Sequence, residues 1–375
     1  MTGRSNPPAS GSNLPQRLGS YELVAEIASG GMATVYLARF HGTRRAGRLL
    51  AIKRMHPHLA WETGFVQMFL DEGRLAARIR HRCVVRTLEV VLLESGPLIV
   101  MEYVEGATLS DLISTVTARE GRVPPAIVVR VMLDTLAGLQ AVHEARGERG
   151  ELLHIVHRDM SPQNVLVGLD GISRITDFGL AHAAAGDAEA RDGRLKGKLG
   201  YMAPEQAKGE PYDQRADLFA VGVMLWEGLA GRRAFKPRQG GSEAETLVRL
   251  VNAPLPALHE LDASIGRALS EVCERALQRD PAARFGSCAE FRAALERAAK
   301  GGTGVASARE VGRFVLEQQG ADVAARRAAC GLPELGDPSR RPRLWRIAPA
   351  LVGVALVCGI ATTLALRHCG ADGGP

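Results

Sequence analysis

The chain has 375 residues, of which 46% are apolar and 5% aromatic, and its formal net charge is +6. This apolar fraction is enough for large cores, and the 42 glycines and 19 prolines argue against a coiled coil. No basic run is interleaved with aromatic residues, so the excess of arginine does not favour nucleic-acid binding.

Six cysteines are present, without a C-x-x-C pair and without histidines at metal-ligand spacing. We therefore expect buried thiols in a reducing compartment, with Cys369 as the exception.

Residues 1–20 are rich in Ser, Pro, Gly and Asn and lack the apolar core of a signal peptide, so we expect a disordered leader. Beyond it, alternating apolar residues predict antiparallel strands at 21–27, 34–40, 49–55, 88–93 and 98–101. Helical periodicity predicts a helix at 65–80.

After Gly106 the pattern changes from strands to helices, with helices predicted at 109–116 and 125–143. Short strands are predicted at 165–167 and 174–176. The chain is thereby divided into a strand-rich part, 21–104, and a helical part, 105–299.

Three motifs carry chemistry. Residues 157–164 read His-Arg-Asp-Met-Ser-Pro-Gln-Asn, Asp177-Phe178-Gly179 follows, and Ala203-Pro204-Glu205 lies beyond. A carboxylate, an amide and a second carboxylate at these spacings are typical of phosphoryl transfer. The alternative for His-Arg-Asp alone is a polar loop between two strands, because this triplet occurs by chance in many chains.

With these motifs, residues 21–295 resemble the eukaryotic-like Ser/Thr protein kinases of bacteria. The resemblance implies an α+β fold of two lobes, a small antiparallel-sheet N-lobe and a larger helical C-lobe. It also implies ATP and Mg²⁺ as cofactors and Ser/Thr hydroxyls of proteins as acceptors.

Catalytic roles follow from the resemblance. Asp159 corresponds to the base, Asn164 and Asp177 to the Mg²⁺ ligands, and Lys53 to the lysine that contacts the α- and β-phosphates. Glu72 corresponds to the helix glutamate that pairs with Lys53. The alternatives are an edge lysine facing water and a surface acid beside Arg74.

The resemblance places further residues around the nucleotide. Met101 corresponds to the gatekeeper, and Glu102 and Val104 to the hinge that bonds adenine through its backbone. The remaining expected nucleotide contacts are Ile27, Gly30, Gly31, Val35, Ala51 and Leu166.

The glycine-rich loop departs from the family pattern, because Ala28 and Ala33 occupy positions where glycines are expected. If either position needs a positive φ, alanine costs about 1 kcal/mol relative to glycine.

A second departure lies at the catalytic loop. Ser161 occupies the place of the family's lysine, and Lys198 the place of a threonine that bonds the catalytic Asp. We hypothesise a reciprocal exchange, in which Lys198 returns the ammonium and Ser161 returns the hydroxyl. The alternative is drift in a degenerate kinase.

Control by loop phosphorylation is not expected, because residues 177–205 contain no Ser or Thr. Elsewhere an arginine like Arg158 binds a phosphorylated activation loop. Two structural roles are also implied: Asp217 braces the backbone of the His-Arg-Asp loop, and Arg284 pairs with Glu205.

The C-terminal part begins with a juxtamembrane segment, 300–346, for which two short helices are predicted at 306–318 and 321–330. Residues 347–366 carry no charge and are long enough to span a membrane. Arg340, Arg341, Arg343 and Arg346 precede this segment, which predicts a cytoplasmic kinase and a short outer tail, 367–375. Ala355, Gly359 and Cys369 suggest a homodimer.

Three functions remain open at this point. An active, membrane-anchored Ser/Thr kinase is favoured, and a pseudokinase acting as a nucleotide-responsive scaffold is the alternative. A receptor for an outside ligand is disfavoured by the short tail. Tyrosine specificity is disfavoured because residues 160–164 lack the Arg/Ala pattern of tyrosine kinases.

Overall fold

The computed structural model describes residues 14–41, 48–119, 121–178, 198–235 and 242–333. All of these except Pro333 belong to one compact unit that ends at Leu332. The predicted linker, membrane segment 347–366 and tail lie outside the described residues, as does the loop 179–197.

The N-lobe is an antiparallel six-stranded sheet in the order β1-β2-β3-β4-β6-β5. One helix, α1, packs against β5 and β6. The bounds are β1 (Gln16–Leu18), β2 (Tyr21–Ser29), β3 (Ala33–Phe40), β4 (Leu49–Met55), α1 (Thr63–Arg78), β5 (Thr87–Leu93) and β6 (Gly96–Glu102).

The C-lobe is mainly helical and carries a small sheet in the order β7-β8-β9. Its strands are β7 (Gly106–Thr108), β8 (Val165–Gly168) and β9 (Ser173–Ile175). Its helices are α2 (Leu109–Ala118), α3 (Pro125–His143), α4 (Pro204–Ala207), α5 (Arg215–Ala230), α6 (Glu243–Asn252), α7 (Leu258–Leu261), α8 (Arg267–Ala276), α9 (Cys288–Lys300) and α10 (Ala308–Ala329).

Two helices form the centre of the C-lobe. In α5 every residue from Ala216 to Leu229 is buried, so this helix is enclosed by the C-lobe on all sides. Helix α3 is the only helix in the described part of the chain that is long and apolar enough to cross a membrane, and 67% of that stretch is buried. Its packing against α5 and α9 accounts for this composition.

Buried charges in the C-lobe are paired. Arg284 forms two hydrogen bonds to Glu205, at 2.6 and 2.7 Å, which confirms the predicted pair. Losing one partner of such a buried pair typically costs about 3–5 kcal/mol. The pair ties α4 to the segment before α9.

Two sequence predictions are wrong in detail. Gln16–Leu18 form strand β1 on β2, and Leu18 is buried with Tyr21 and Leu23, so the leader is not disordered throughout residues 1–20. The two short helices predicted in 306–330 are one helix of 22 residues, α10. The four described cysteines are buried thiols, as predicted.

Candidate active site

A cleft of about 870 Å³ lies between the glycine-rich loop of the N-lobe and the catalytic loop of the C-lobe. Ten of the predicted site residues line it: Ile27, Gly30, Gly31, Val35, Lys53, Glu72, Asp159, Asn164, Asp177 and Lys198.

Lys53 stands at the centre of an ion-pair cluster. Its Nζ lies 2.7 Å from Glu72 Oε1 and 2.8 Å from Asp177 Oδ1. Burial alone would lower the pKa of Lys53, but Asp177 and Glu72 outweigh it and raise that pKa. Burial likewise favours the neutral form of Asp177, but Lys53 keeps the pKa of Asp177 below its usual value. Lys53 and Asp177 are therefore both charged at neutral pH.

The catalytic loop presents Asp159 and Asn164 together. Asn164 Nδ2 donates to the Asp159 carbonyl at 2.7 Å and to Asp159 Oδ2 at 2.8 Å. Its side-chain nitrogen is therefore engaged, and its carboxamide oxygen remains for another ligand. The turn Pro162–Asn164 holds Asn164 in place, with the Asn164 N–H bonded to the Ser161 carbonyl at 3.0 Å.

Asp217 braces this loop from below, as predicted. It accepts the backbone N–H groups of His157 at 2.8 Å and Arg158 at 2.9 Å. It also lies 2.8 Å from His143 Nε2. Arg158 takes a left-handed φ of 69°, an uncommon conformation for a residue other than glycine, and the two backbone bonds help to hold it.

His157 links the catalytic loop to Asp177-Phe178. Burial lowers the pKa of His157, so the ring is neutral and Nε2 donates to the Thr176 carbonyl at 3.2 Å. The ring also packs on Phe178, with centroids 5.4 Å apart. Asp177 has a φ of 57°, which helps turn its carboxylate towards Lys53.

Lys198 reaches the candidate base. Its Nζ lies 2.5 Å from Asp159 Oδ2, although the two residues are far apart in sequence. Lys198 also lowers the pKa of Asp177, which lies further along the cleft. An ammonium is thus present at the catalytic loop despite Ser161.

The Ser161 hydroxyl behaves differently from Lys198. Ser161 is 1% exposed, and its Oγ makes no hydrogen bond to any described residue. Lys198 thus contacts the catalytic loop as the hypothesised exchange requires, whereas the hydroxyl contact expected of Ser161 is not formed with any described residue.

Apolar residues of the predicted nucleotide site belong to one hydrophobic cluster. Ala51 and Met101 are buried, and the partly buried Ile27, Val35, Val104 and Leu166 pack against the same cluster. Glu102 ends β6, and its side chain accepts the Arg86 N–H at 3.0 Å. The apolar residues predicted to contact the nucleotide are therefore neighbours in one cluster, and their contact with adenine stays a prediction.

The glycine-rich loop does not carry the strain that a positive φ at Ala28 or Ala33 would cause. Ala28 lies in β2 and Ala33 in β3, and neither is among the described residues with positive φ. A feature that sequence reasoning missed supports this loop: His56 Nε2 lies 2.8 Å from the Gly30 carbonyl. A histidine just after a strand carries no sequence signal for such a contact.

Residues 21–296 match the family described as the protein kinase domain. The chain belongs to the protein kinase family. This kinase domain covers both lobes through most of α9, whereas α10 lies outside the matched residues.

Several bacterial kinases are similar to this kinase domain. The tyrosine-protein kinase MasK of Myxococcus xanthus is 38% identical over 76% of this chain and 43% of its own length. The serine/threonine-protein kinase PknL of Mycobacterium tuberculosis is 32% identical over 75% of this chain and 66% of its own length. The M. tuberculosis serine/threonine-protein kinase PknB is 33% identical over 75% of this chain and 43% of its own length. The match thus covers less than two thirds of each of these relatives.

Solved structures support the fold. The crystal structure of the M. tuberculosis PknI kinase domain covers 76% of this chain and 98% of its own, with a TM-score of 0.54 and 25% identity. This confirms the predicted two-lobed kinase fold.

Proposed function

We propose that this protein is a serine/threonine kinase, which transfers the γ-phosphoryl group of ATP to hydroxyls of other proteins. The observation that carries the proposal is the convergence of Asp159, Asn164 and Asp177 in one cleft with the Lys53–Glu72 pair. These are the groups that in-line phosphoryl transfer needs.

In the proposed reaction Asp159 accepts the proton of the acceptor hydroxyl. The acceptor oxygen forms a bond to the γ-phosphorus as the bond between that phosphorus and the β–γ bridging oxygen breaks, so ADP leaves. Lys53 holds the α- and β-phosphates, and the apolar cluster around Ala51 and Met101 holds adenine against the hinge.

Asn164 and Asp177 fit a hard divalent cation. The carboxamide oxygen of Asn164 and the carboxylate of Asp177 are oxygen donors of the kind that Mg²⁺ prefers. Bound Mg²⁺ supplies charge neutralisation for the phosphates. Lys53 orients the Asp177 carboxylate for this role through the bond at 2.8 Å.

Lys198 is proposed to stabilise the transferring phosphoryl group. Its ammonium already lies on Asp159, beside the position that the attacking hydroxyl would take. Electrostatic groups fixed in advance at a site of developing charge contribute strongly to catalysis. With Lys198 in place and no strain at Ala28 or Ala33, the case for a pseudokinase is weakened.

The acceptor is proposed to be Ser or Thr, in line with the names of PknL and PknB, although the name of MasK specifies tyrosine. We expect radiolabelled ATP to label a protein substrate that contains Ser, Thr and Tyr mainly as phosphoserine and phosphothreonine after acid hydrolysis. Label on phosphotyrosine alone would contradict the acceptor class. No labelling above that of heat-inactivated protein would contradict the kinase itself.

Residues 347–366 are proposed to anchor the kinase to the cytoplasmic membrane, with the kinase domain on the cytoplasmic side. The support is the uncharged stretch of 20 residues and the four arginines before it. We expect the full chain to remain in the membrane pellet after alkaline carbonate extraction, and a chain ending at residue 336 to be released.

A homodimer through Ala355, Gly359 and Cys369 is proposed on the same basis, and Cys369→Ser should abolish a cross-linked dimer on a non-reducing gel.

A further inference from the structure

Helix α10 is an addition to the kinase domain that lies against the hinge. It follows the family match at residues 21–296 and contacts α2, α3, β7 and β8 of the C-lobe and β2 of the N-lobe. It begins at a capping box. The Glu310 N–H donates to Ser307 Oγ, and the Ser307 N–H donates to Glu310 Oε2. A start this well defined predicts a stable helix and not a fraying tail.

The first half of α10 is fixed to the C-lobe. Val311 and Val315 are fully buried, and Gln319 is 6% exposed. Gln319 Nε2 donates to Thr115 Oγ1 of α2 at 2.6 Å. Gly312 lies so close to the Leu169 carbonyl that a Cβ there would overlap it, which indicates tight docking.

The last two turns reach the hinge. Arg327 Nη1 lies 2.7 Å from Glu105 Oε1, with the two side chains 19% and 29% exposed. Arg326 Nη1 donates to the Tyr103 hydroxyl at 3.4 Å. These contacts therefore bracket Val104, the residue between Tyr103 and Glu105.

The N-lobe contacts the same end of the helix. Arg39 of β3 donates to the Cys330 carbonyl at 3.5 Å, and Cys330 is buried. The C-terminal end of α10 thus contacts the N-lobe and the hinge, and the earlier turns of the helix contact the C-lobe.

We propose that α10 positions the hinge for nucleotide binding, with Arg327 acting through Glu105 as the main positioning residue. The inference rests on the proposed function, because it assumes that the hinge receives adenine. Holding Tyr103, Val104 and Glu105 in one conformation removes part of the ordering cost that binding would otherwise carry. By linkage, nucleotide bound at the hinge must in turn stabilise the docked helix by the same factor.

The first test is a set of substitutions in the full chain, with Mg·ATP affinity measured by titration calorimetry and turnover measured at saturating ATP. We expect Arg327→Ala to weaken ATP binding by about three- to tenfold, the range between an exposed ion pair and a charge-assisted hydrogen bond. Turnover at saturating ATP should stay the same, and Arg327→Lys should recover most of the affinity. Arg313→Ala is the matched control, because Arg313 lies on the same helix at 70% exposure, 3.8 Å from Glu317.

A purely structural role gives a different result. In that case Arg327→Ala would lower the melting temperature and leave the dissociation constant for ATP unchanged, which would overturn the proposal. The second test is hydrogen exchange in the wild-type chain. We expect Mg·ATP to slow amide exchange in residues 308–329, and unchanged exchange under saturating nucleotide would equally overturn it.

These readouts separate this inference from the proposed function. Both follow binding, so they remain informative if no phosphoryl transfer is found. Weakened binding in Arg327→Ala without any transfer by the wild type would contradict the kinase activity and support the role of α10. Normal transfer by the wild type, together with unchanged ATP binding in Arg327→Ala, would support the kinase activity and contradict the role of α10.

Discussion

Asp159→Asn is expected to lower kcat by about 10²- to 10⁴-fold, the usual contribution of a positioned general base. Asparagine has nearly the same shape as aspartate but cannot accept the hydroxyl proton as a carboxylate does. It also removes the counter-ion of Lys198, which lies 2.5 Å away. Because Asp159 is proposed to act on the acceptor, the affinity for ATP should change little.

The measurement is initial-rate kinetics with ATP and a protein acceptor, and Asp71→Asn is the matched control. Asp71 is 55% exposed on α1 and pairs only weakly with Arg74, at 3.2 Å. Its substitution removes the same charge at a residue that does not line the cleft. A rate for Asp159→Asn equal to that of Asp71→Asn would show that Asp159 is not the base.

Lys198→Thr is expected to slow phosphoryl transfer by about 10- to 150-fold, which corresponds to the roughly 1.5–3 kcal/mol of a charge-assisted hydrogen bond. The substitution places at residue 198 the residue type usual in the family, but Ser161 cannot supply an ammonium. The loss should appear in kcat, because Lys198 is proposed to act on the transferring group. Lys53 still holds the other phosphates through its own ion-pair cluster.

Lys208→Thr is the control for this substitution. Lys208 follows α4, is 47% exposed and lies 3.8 Å from Glu210, so its loss removes a lysine without touching the cleft. Equal rates for the two variants would mean that the ammonium at residue 198 has no role in transfer.

Much of the fold could be predicted because its signals are local. The predicted bounds of β4 and α3 coincide with the observed Leu49–Met55 and Pro125–His143. Hydrophobic periodicity determines such elements directly. The resemblance to the kinase family also implied that Asp159, Asn164 and Asp177 lie together, before their distances were known.

The remainder depends on tertiary contacts that have no local signature. The Ser161 hydroxyl was expected to make a contact, and its side chain instead lies buried without a hydrogen bond to any described residue. The possible strain at Ala28 and Ala33 could not be judged without φ values. The sequence predicts two helices, at 306–318 and 321–330, but Gln319 and Val323 are buried within the single helix α10, and this burial has no local signal.

The hinge contacts of α10 show the same limit. Arg327 and Glu105 are more than two hundred residues apart in sequence, and an arginine in a polar helix is expected to face solvent. Only the docked helix brings the pair together. Long-range ion pairs of this kind are where the sequence predicts least.

Lys198 is proposed to complete a catalytic site that lacks the usual lysine at residue 161. The most direct measurement is the single-turnover rate of phosphoryl transfer at saturating Mg·ATP for the wild type, Lys198→Thr, Ser161→Lys and the double variant. We expect Lys198→Thr alone to be slow and the double variant, which restores the family arrangement, to recover most of the wild-type rate. An undiminished rate in Lys198→Thr, or no recovery in a double variant that still binds ATP, would contradict the claim.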